Sequence, residues 1–109
     1  MKISVLGTEY TIFLESNNER FKKERIAGFA EFSTKEIHIN KAENLEPENK
    51  EQFIRETIRH ELMHAFLYES GLDASSINNW ATNEEMIDWF AIQSPKLQKA
   101  FEQANAAEA

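Results

Sequence analysis

Short runs of alternating apolar and polar residues fill the first forty positions of the chain, a pattern typical of half-buried β-strands. Four runs predict strands: Lys2–Leu6, Glu9–Leu14, Ala27–Phe32 and Glu36–Ile39. Gly7-Thr8, between the first two runs, is typical of a tight hairpin turn. We therefore predict an N-terminal antiparallel sheet of three or four strands.

The alternation also predicts which strand residues face the core. The second strand has three apolar residues on one face: Tyr10, Ile12 and Leu14. In the fourth strand, Ile37 and Ile39 are expected to point inward. His38 then points outward, and we expect it to be exposed.

After residue 46 the apolar residues recur every three or four positions, which is the spacing of one helix face. Pro47 fits the first turn of a helix that runs to about Glu69, and Gly71 suits a left-handed cap just past its end. This helix has a broad apolar stripe, composed of Phe53, Ile54, Ile58, Leu62, Met63, Phe66 and Leu67. A loop is predicted to follow over 72–81.

Thr82 and Glu85 form a capping box that predicts a second helix, from Asn83 to about Gln93. This helix is apolar on most sides, so we expect it to be well buried. Ser94-Pro95 predicts a break and the start of a short last helix through about Gln103. The predicted fold class is therefore α+β, with an antiparallel sheet followed by three helices.

Composition narrows the possible functions. A chain of 109 residues predicts one domain spanning 1–109. Its 12 basic and 19 acidic residues give a net charge of −7 without a basic patch, which argues against nucleic acid or an anionic membrane as a partner. The sequence also lacks a signal peptide pattern and a long apolar run, so we predict a cytoplasmic location.

The central motif is His60-Glu61-Leu62-Met63-His64, in the middle of the long helix. Histidines four residues apart lie on one helix face, so both imidazoles can reach one metal ion. Glu61 lies beside them, where a metal-bound water would be. This HExxH pattern is typical of zinc hydrolases, although it also arises by chance in ordinary helices.

A catalytic zinc has three protein ligands and one open position. The chain has no cysteine, and His38 is its only other histidine, so a carboxylate is the best candidate for the third ligand. The capping box occupies Glu85, whereas Glu84 shares a face with Asp88. We therefore predict Glu84 as the ligand and Asp88 as the acceptor for the free N–H of a ligating histidine. The alternative for both carboxylates is a solvated position, and manganese, cobalt or nickel would also suit such a ligand set.

Two stretches carry a resemblance to a known class of peptidases. His60-Glu61-x-x-His64, followed twenty residues later by Asn83-Glu84-x-x-x-Asp88, resembles the HExxH and NExxxD pattern of gluzincins. The resemblance covers residues 51–101, and it extends to short phage and bacterial ImmA/IrrE-type metallopeptidases, including minigluzincins.

The resemblance implies a role for each motif residue. It implies that Zn2+ is the cofactor and that its ligands are His60, His64 and Glu84. It further implies that Glu61 is the general base and that Asp88 supports a ligating histidine. An upstream edge strand, Glu36–Ile39, would pair with an extended peptide in the cleft. Candidates for a side chain that stabilises the oxyanion are Tyr68 and His38.

The predicted function is that of a zinc-dependent metalloendopeptidase, which hydrolyses a peptide or protein substrate with a metal-activated water and Glu61 as base. The alternative is a zinc-binding regulatory or interaction module of the same fold, with a protein partner and little or no turnover. A metal-free structural domain is a third possibility. Replacing Glu61 by Gln separates the first two, because only a peptidase would lose turnover while keeping its zinc.

Overall fold

A four-stranded sheet packed against one long helix forms the body of the molecule. The computed structural model describes residues 1–109. Its elements are β1 (Lys2–Val5), β2 (Thr8–Glu15), α1 (Glu19–Lys23), β3 (Gly28–Glu31), β4 (Glu36–Asn40), α2 (Pro47–Glu69), α3 (Leu72–Ser75), a 3₁₀ segment (Ile77–Thr82) and α4 (Glu84–Gln103). The predicted α+β class is confirmed. None of these helices has the length and apolar character needed to span a membrane.

The sheet is mixed, with the strand order β1-β2-β4-β3. The pairs β1/β2 and β3/β4 are antiparallel, but β2 and β4 run parallel, so the prediction of a wholly antiparallel sheet is wrong. The chain passes through α1 after β2 and returns as a β3–β4 hairpin with β4 on the inside. This arrangement aligns Ile37 with Ile12 and buries Ile37 and Ile39 completely at the centre of the sheet.

The strand order also corrects the predicted edge. Glu36–Ile39 belongs to β4, which pairs with a neighbour on both sides, so it cannot add a further strand. The edge strand that packs beside α2 is β3. Gly28 permits the close approach there, because a Cβ at this position would lie 2.8 Å from the carbonyl oxygen of His38 and 3.1 Å from a methyl carbon of Thr57.

The main core lies between the inner face of the sheet and α2. Its buried residues are Val5, Tyr10, Ile12, Ile37, Ile39 and Ala65. Three residues of the predicted α2 stripe pack against them: Ile54, Ile58 and Leu62. Leu14, predicted to share this face, is exposed at the end of β2. The β1–β2 turn lies one residue earlier than predicted, at Leu6 and Gly7, whose φ angles are 50° and 87°.

The C-terminal end of α2 is tied to the sheet through Glu69. Its carboxylate accepts hydrogen bonds from the Tyr10 hydroxyl at 2.7 Å, the Thr8 hydroxyl at 3.1 Å and the Lys35 ammonium at 2.8 Å. These donors, Lys35 first, hold the pKa of Glu69 below its usual value. Because α2 carries the HExxH motif, these bonds fix the orientation of the motif relative to the sheet.

His38 points away from the core as predicted, but it is not exposed. Its ring stacks between Phe13 and Phe29, at centroid distances of 5.1 and 4.7 Å. It also forms ion pairs with Glu15 and, at 2.9 Å, with Glu36, and only 16% of its side chain is accessible. The outer face of the sheet therefore has its own small aromatic and charged cluster.

This cluster predicts a pH-dependent contribution to stability. Burial lowers the pKa of His38, but its bonds to Glu15 and Glu36 outweigh burial and raise the pKa above the usual 6.5. Protonated His38 therefore stabilises the fold fully below pH 6.5, and this stabilisation is lost as the pH rises through the folded-state pKa. We expect the difference in unfolding free energy between native protein and His38→Gln to shrink as the pH rises above 6.5 in a series of urea titrations. If the difference in unfolding free energy did not change with pH, His38 would not have the raised pKa assigned to it.

Three helical segments differ from the sequence prediction. The charge-rich stretch after β2 forms α1, which begins where the Asn18 side chain accepts a hydrogen bond from the Arg20 amide. The predicted loop over 72–81 contains α3 and the 3₁₀ segment. Gly71 has the predicted left-handed conformation, with φ of 85°, and separates α2 from α3.

The last helix is continuous, whereas the sequence predicted two helices broken at Ser94-Pro95. Pro95 lies inside α4 and has no N–H to donate to the carbonyl of Ala91. The Arg59 guanidinium of α2 donates to that carbonyl instead. This substitute donor satisfies the carbonyl that Pro95 leaves free, so the helix passes through the proline.

The start of α4 also differs from the prediction. Asn83, not Thr82, is the N-cap, and its side chain accepts a hydrogen bond of 2.9 Å from the Met86 amide. The Thr82 hydroxyl instead donates to the carbonyl of Asn79. Moving the cap by one residue places Glu84 at the first position of the helix.

Candidate metal centre

Two histidines of α2 form the first part of the site. His60 and His64 lie one turn apart on the face directed at α4, and their Nε2 atoms are 3.2 Å apart. Each side chain is 17% accessible, so both rings lie within a cleft with one side open. The interval of four residues brings them together, as the sequence predicted.

Glu84 completes a three-residue cluster from the first turn of α4. One carboxylate oxygen is 3.0 Å from Nε2 of His60, and the other is 2.9 Å from Nε2 of His64. These three residues form a group whose potential ligand atoms all lie within 4.8 Å of one another, and Glu85 is not part of it. The structure therefore brings together the three residues that the sequence analysis selected as ligands.

The spacing of these atoms fits a metal ion. Zinc bound at about 2.0–2.1 Å by tetrahedrally arranged ligands would have ligand atoms about 3.3 Å apart. The two histidine Nε2 atoms are 3.2 Å apart, and each of them lies 2.9–3.0 Å from one of the two Glu84 oxygens, which is close to that value. Two imidazoles and one carboxylate are also the donor set of many catalytic zinc sites. The arrangement could hold one divalent ion and leave a position open for water.

Asp88 lies one turn after Glu84 and contacts the other nitrogen of His60. The distance from its carboxylate oxygen to Nδ1 is 2.7 Å. An acceptor at this position keeps the proton on Nδ1, which leaves the Nε2 lone pair directed at Glu84 and His64. Asp88 can thus orient the His60 ring and fix its tautomer.

The environment of His64 favours the neutral ring that a metal ligand needs. Burial lowers its pKa, and the neighbouring His60 lowers it further, while Glu84 acts in the opposite direction. The net effect is a pKa below 6.5. His64 therefore has a free lone pair at neutral pH without any need for metal to displace a proton.

Glu61 lies beneath the histidines and is 7% exposed. One of its carboxylate oxygens is 3.9 Å from Nε2 of His60. Burial raises the pKa of Glu61 to about 7, and the Glu84 and Asp88 carboxylates add to this effect while His60 opposes it. A carboxylate with a pKa near neutrality can both accept and return a proton, which suits a general base.

Arg59 is a residue of this site that the sequence analysis missed. It precedes His60 on α2, and its bond to the Ala91 carbonyl joins the histidine helix to the helix that carries Glu84 and Asp88. The available signal was Pro95, four residues after Ala91, because a proline inside a helix leaves one carbonyl in need of another donor.

We expect Arg59→Met to lower the free energy of unfolding by about 1–3 kcal/mol, because the Ala91 carbonyl loses the Arg59 donor and Pro95 has no N–H to replace it. Arg55→Met is the matched control. Arg55 lies one turn earlier on α2, its side chain is 62% accessible, and it reaches only Glu51, at 3.6 Å. Its loss is expected to cost less than about 0.5 kcal/mol. Urea denaturation measures both values, and equal effects would contradict the role of Arg59.

The two candidates for oxyanion stabilisation lie elsewhere. Tyr68 stacks on Phe32 at a centroid distance of 4.1 Å, with the Lys35 ammonium 5.0 Å from its ring. His38 is on the opposite face of the sheet, between Phe13 and Phe29. Neither residue lines the cleft that contains His60 and His64, so the assignment of either to this role is wrong.

The cleft has a volume of about 620 Å³. Three walls surround the histidines: α2 on one side, α4 as far as Ile92 on another, and the edge strand β3 together with Arg20 of α1 and the following Glu24 on the third. A ligand that fills the cleft would therefore contact both the histidine cluster and β3.

Comparison with known proteins identifies the family of the chain. The sequence model of the SprT-like family matches residues 10–87, a span that includes His60, Glu61, His64 and Glu84. This is a family of the zincin-like metallopeptidase type, and it supports the gluzincin-like fold, while the narrower resemblance to ImmA/IrrE-type proteins stays a prediction. No curated protein and no solved structure matches the chain. Because the match covers most of the sequence, the chain belongs to the SprT-like family.

Proposed function

We propose that the chain is a zinc-dependent metalloendopeptidase. The observation that supports this most is the cluster of potential ligand atoms from His60, His64 and Glu84 beside a buried carboxylate, Glu61, whose pKa is raised to about 7. A metal-free structural domain would gain nothing from this arrangement. It would have to bury Glu61 at a cost in free energy without an evident benefit.

The chemistry follows from the positions of the side chains. His60, His64 and Glu84 would hold the zinc ion, which would supply Lewis acidity toward a water molecule and the scissile carbonyl. Glu61 would accept the proton of the attacking water on its carboxylate and return it to the nitrogen of the leaving amine. Asp88 holds the Nδ1 proton of His60 throughout, so the ring stays in the ligating tautomer. No covalent bond to the enzyme is needed.

We propose a peptide in extended conformation as the substrate. We propose that it pairs with the free edge of β3, which replaces Glu36–Ile39 in this role because β3 lies at the edge of the sheet and lines the cleft. The motif resemblance to ImmA/IrrE-type peptidases favours a protein substrate cut at a limited number of bonds. We further propose that residues 1–109 act as one zincin-like domain in the cytoplasm, with no nucleic acid or membrane partner.

One observation favours a second candidate, a zinc-binding regulatory module with little turnover. Both predicted oxyanion stabilisers, Tyr68 and His38, lie outside the cleft. A site without such a donor would rely on the metal alone to stabilise the developing charge, and removing one donor costs other hydrolases about 10²–10³-fold in rate. The same fold could then bind a protein partner at the cleft without cutting it.

Hydrolysis that depends on added metal distinguishes the two candidates. The zinc-loaded chain is incubated with an unfolded protein and with a peptide mixture, and new amino termini are identified by mass spectrometry. A peptidase produces defined new termini, stops when a zinc chelator is added and recovers when zinc is restored. Binding of the substrate proteins without any cleavage, in the presence of bound zinc, would support the regulatory module instead.

A further inference from the structure

The outer face of α4 is apolar where it should be polar. The sequence predicted a well-buried helix, yet Trp89 is 52% exposed and Ile92 is 48% exposed. Trp80, 46% exposed, and Phe90 border the same region and form a shallow apolar groove with Met86. Large apolar side chains gathered on one exposed face are typical of a surface that contacts another protein.

The exposed residues form one stripe with a regular spacing. Glu85, Trp89, Ile92, Lys96 and Lys99 are separated by four, three, four and three residues, and all of them are exposed. On a helix with 100° per residue these positions fall within an arc of about 80°. The spacing is that of the contact positions in two-helix packing. The stripe from Glu85 to Lys96 is about 16 Å long at 1.5 Å per residue.

The order of residues in the stripe is complementary to itself. Read in one direction it is acidic, apolar, apolar and basic, from Glu85 through Trp89 and Ile92 to Lys96. In an antiparallel pair of α4 helices, Trp89 of one chain faces Ile92 of the other, and Glu85 faces Lys96. A two-fold axis repeats each contact, so one pairing gives two apolar contacts and two ion pairs. A parallel pairing would instead place Glu85 against Glu85.

We propose that this stripe is an isologous dimer interface, with a second copy of this chain as the occupant. The stripe is complementary in charge to itself, and the exposed Trp89 lies near its centre. Tryptophan residues at the centre of an interface commonly account for much of the binding energy, and the flanking ion pairs fix the direction of pairing. The stripe borders the cleft, because Ile92 lies one turn after Asp88 and lines the same cleft, but it contains none of the three candidate metal ligands.

The test is sedimentation equilibrium of the zinc-loaded full chain over a range of concentrations. The native chain is expected to show a reversible equilibrium between the 12.7 kDa monomer and a dimer. Trp89→Glu is expected to remain monomeric. Ile77→Ser is the matched control, because Ile77 is 78% exposed but lies outside α4. This variant should dimerise like the native chain. Circular dichroism of each variant confirms that it is folded.

Charge reversal tests the direction of pairing. Glu85→Lys alone is expected to raise the dissociation constant at least about tenfold, because each end of the interface then holds two like charges. Combining Glu85→Lys with Lys96→Glu should restore the constant to within about threefold of the native value. A native chain that stays monomeric, or a double variant without rescue, would overturn the proposal. Glu61→Gln should dimerise normally, so the result is independent of whether the chain is a peptidase.

Discussion

Replacing Glu61 by Gln is expected to lower the rate of peptide hydrolysis by about 10³-fold or more, while the zinc stays bound. The amide has nearly the same shape as the carboxylate, but it cannot accept the proton of the attacking water. His60, His64 and Glu84 are untouched, so the metal affinity should stay within a few-fold of the native value. Steady-state kinetics and elemental analysis on the same preparation measure both quantities.

Glu56→Gln is the matched control for this prediction. Glu56 lies on α2, lines the same cleft, and accepts a hydrogen bond from the exposed side chain of Gln52. The substitution removes the same charge from the same cleft wall without touching the histidines. We expect hydrolysis to change little. If Glu61→Gln kept most of the native rate, Glu61 would not be the general base.

The same substitution should also stabilise the metal-free protein above neutral pH. The folded-state pKa of Glu61 lies at about 7, above the usual 4.5. Folding therefore becomes less favourable as the pH rises from 4.5 to 7, because the unfolded chain releases this proton first. At roughly 1.4 kcal/mol per pKa unit the cost reaches about 3 kcal/mol, and Glu61→Gln should recover part of it. A less stable variant at about pH 8 would contradict this account of Glu61.

His64→Ala is expected to weaken zinc binding by at least about 100-fold. Zinc sites in small proteins have binding free energies of about 10–16 kcal/mol, so the loss of one of three protein ligands should remove several kcal/mol. Hydrolysis should fall with the bound metal. His38→Ala is the control, since His38 lies on the other face of the sheet, and it should keep native affinity even if it lowers stability. Equal affinities of the two variants would contradict the assignment of His64.

The sequence was sufficient for the features that local interactions determine. Helix α2 begins at Pro47 and ends at Glu69 as predicted, because a proline at its start and a glycine just past its end define both ends. The grouping of His60 with His64 follows from helix geometry alone. The choice of Glu84 over Glu85 agrees with the cluster in the structure, but the reason given for it was wrong, because Asn83 and not Thr82 caps the helix.

Long-range interactions explain the features that were missed. The continuity of α4 past Pro95 depends on Arg59, which lies more than thirty residues earlier in the chain. The parallel pairing of β2 with β4 depends on where the β3–β4 hairpin joins the sheet. Parallel and antiparallel pairing of β2 with β4 would satisfy the same alternation of apolar residues, so the sequence pattern does not distinguish them. The exposure of Trp89 was missed for a related reason. A hydrophobic pattern identifies an apolar helix face, but it does not show whether that face packs against the rest of the chain.

The content of zinc in the purified protein tests the central claim most directly. Native chain, Glu84→Ala and Glu85→Ala are prepared side by side, offered zinc, dialysed and measured by elemental analysis. We expect one zinc per chain in the native protein and in Glu85→Ala, and a marked loss in Glu84→Ala, because only Glu84 reaches both histidines. Native protein without zinc, or equal zinc in all three chains, would contradict the proposed metal centre.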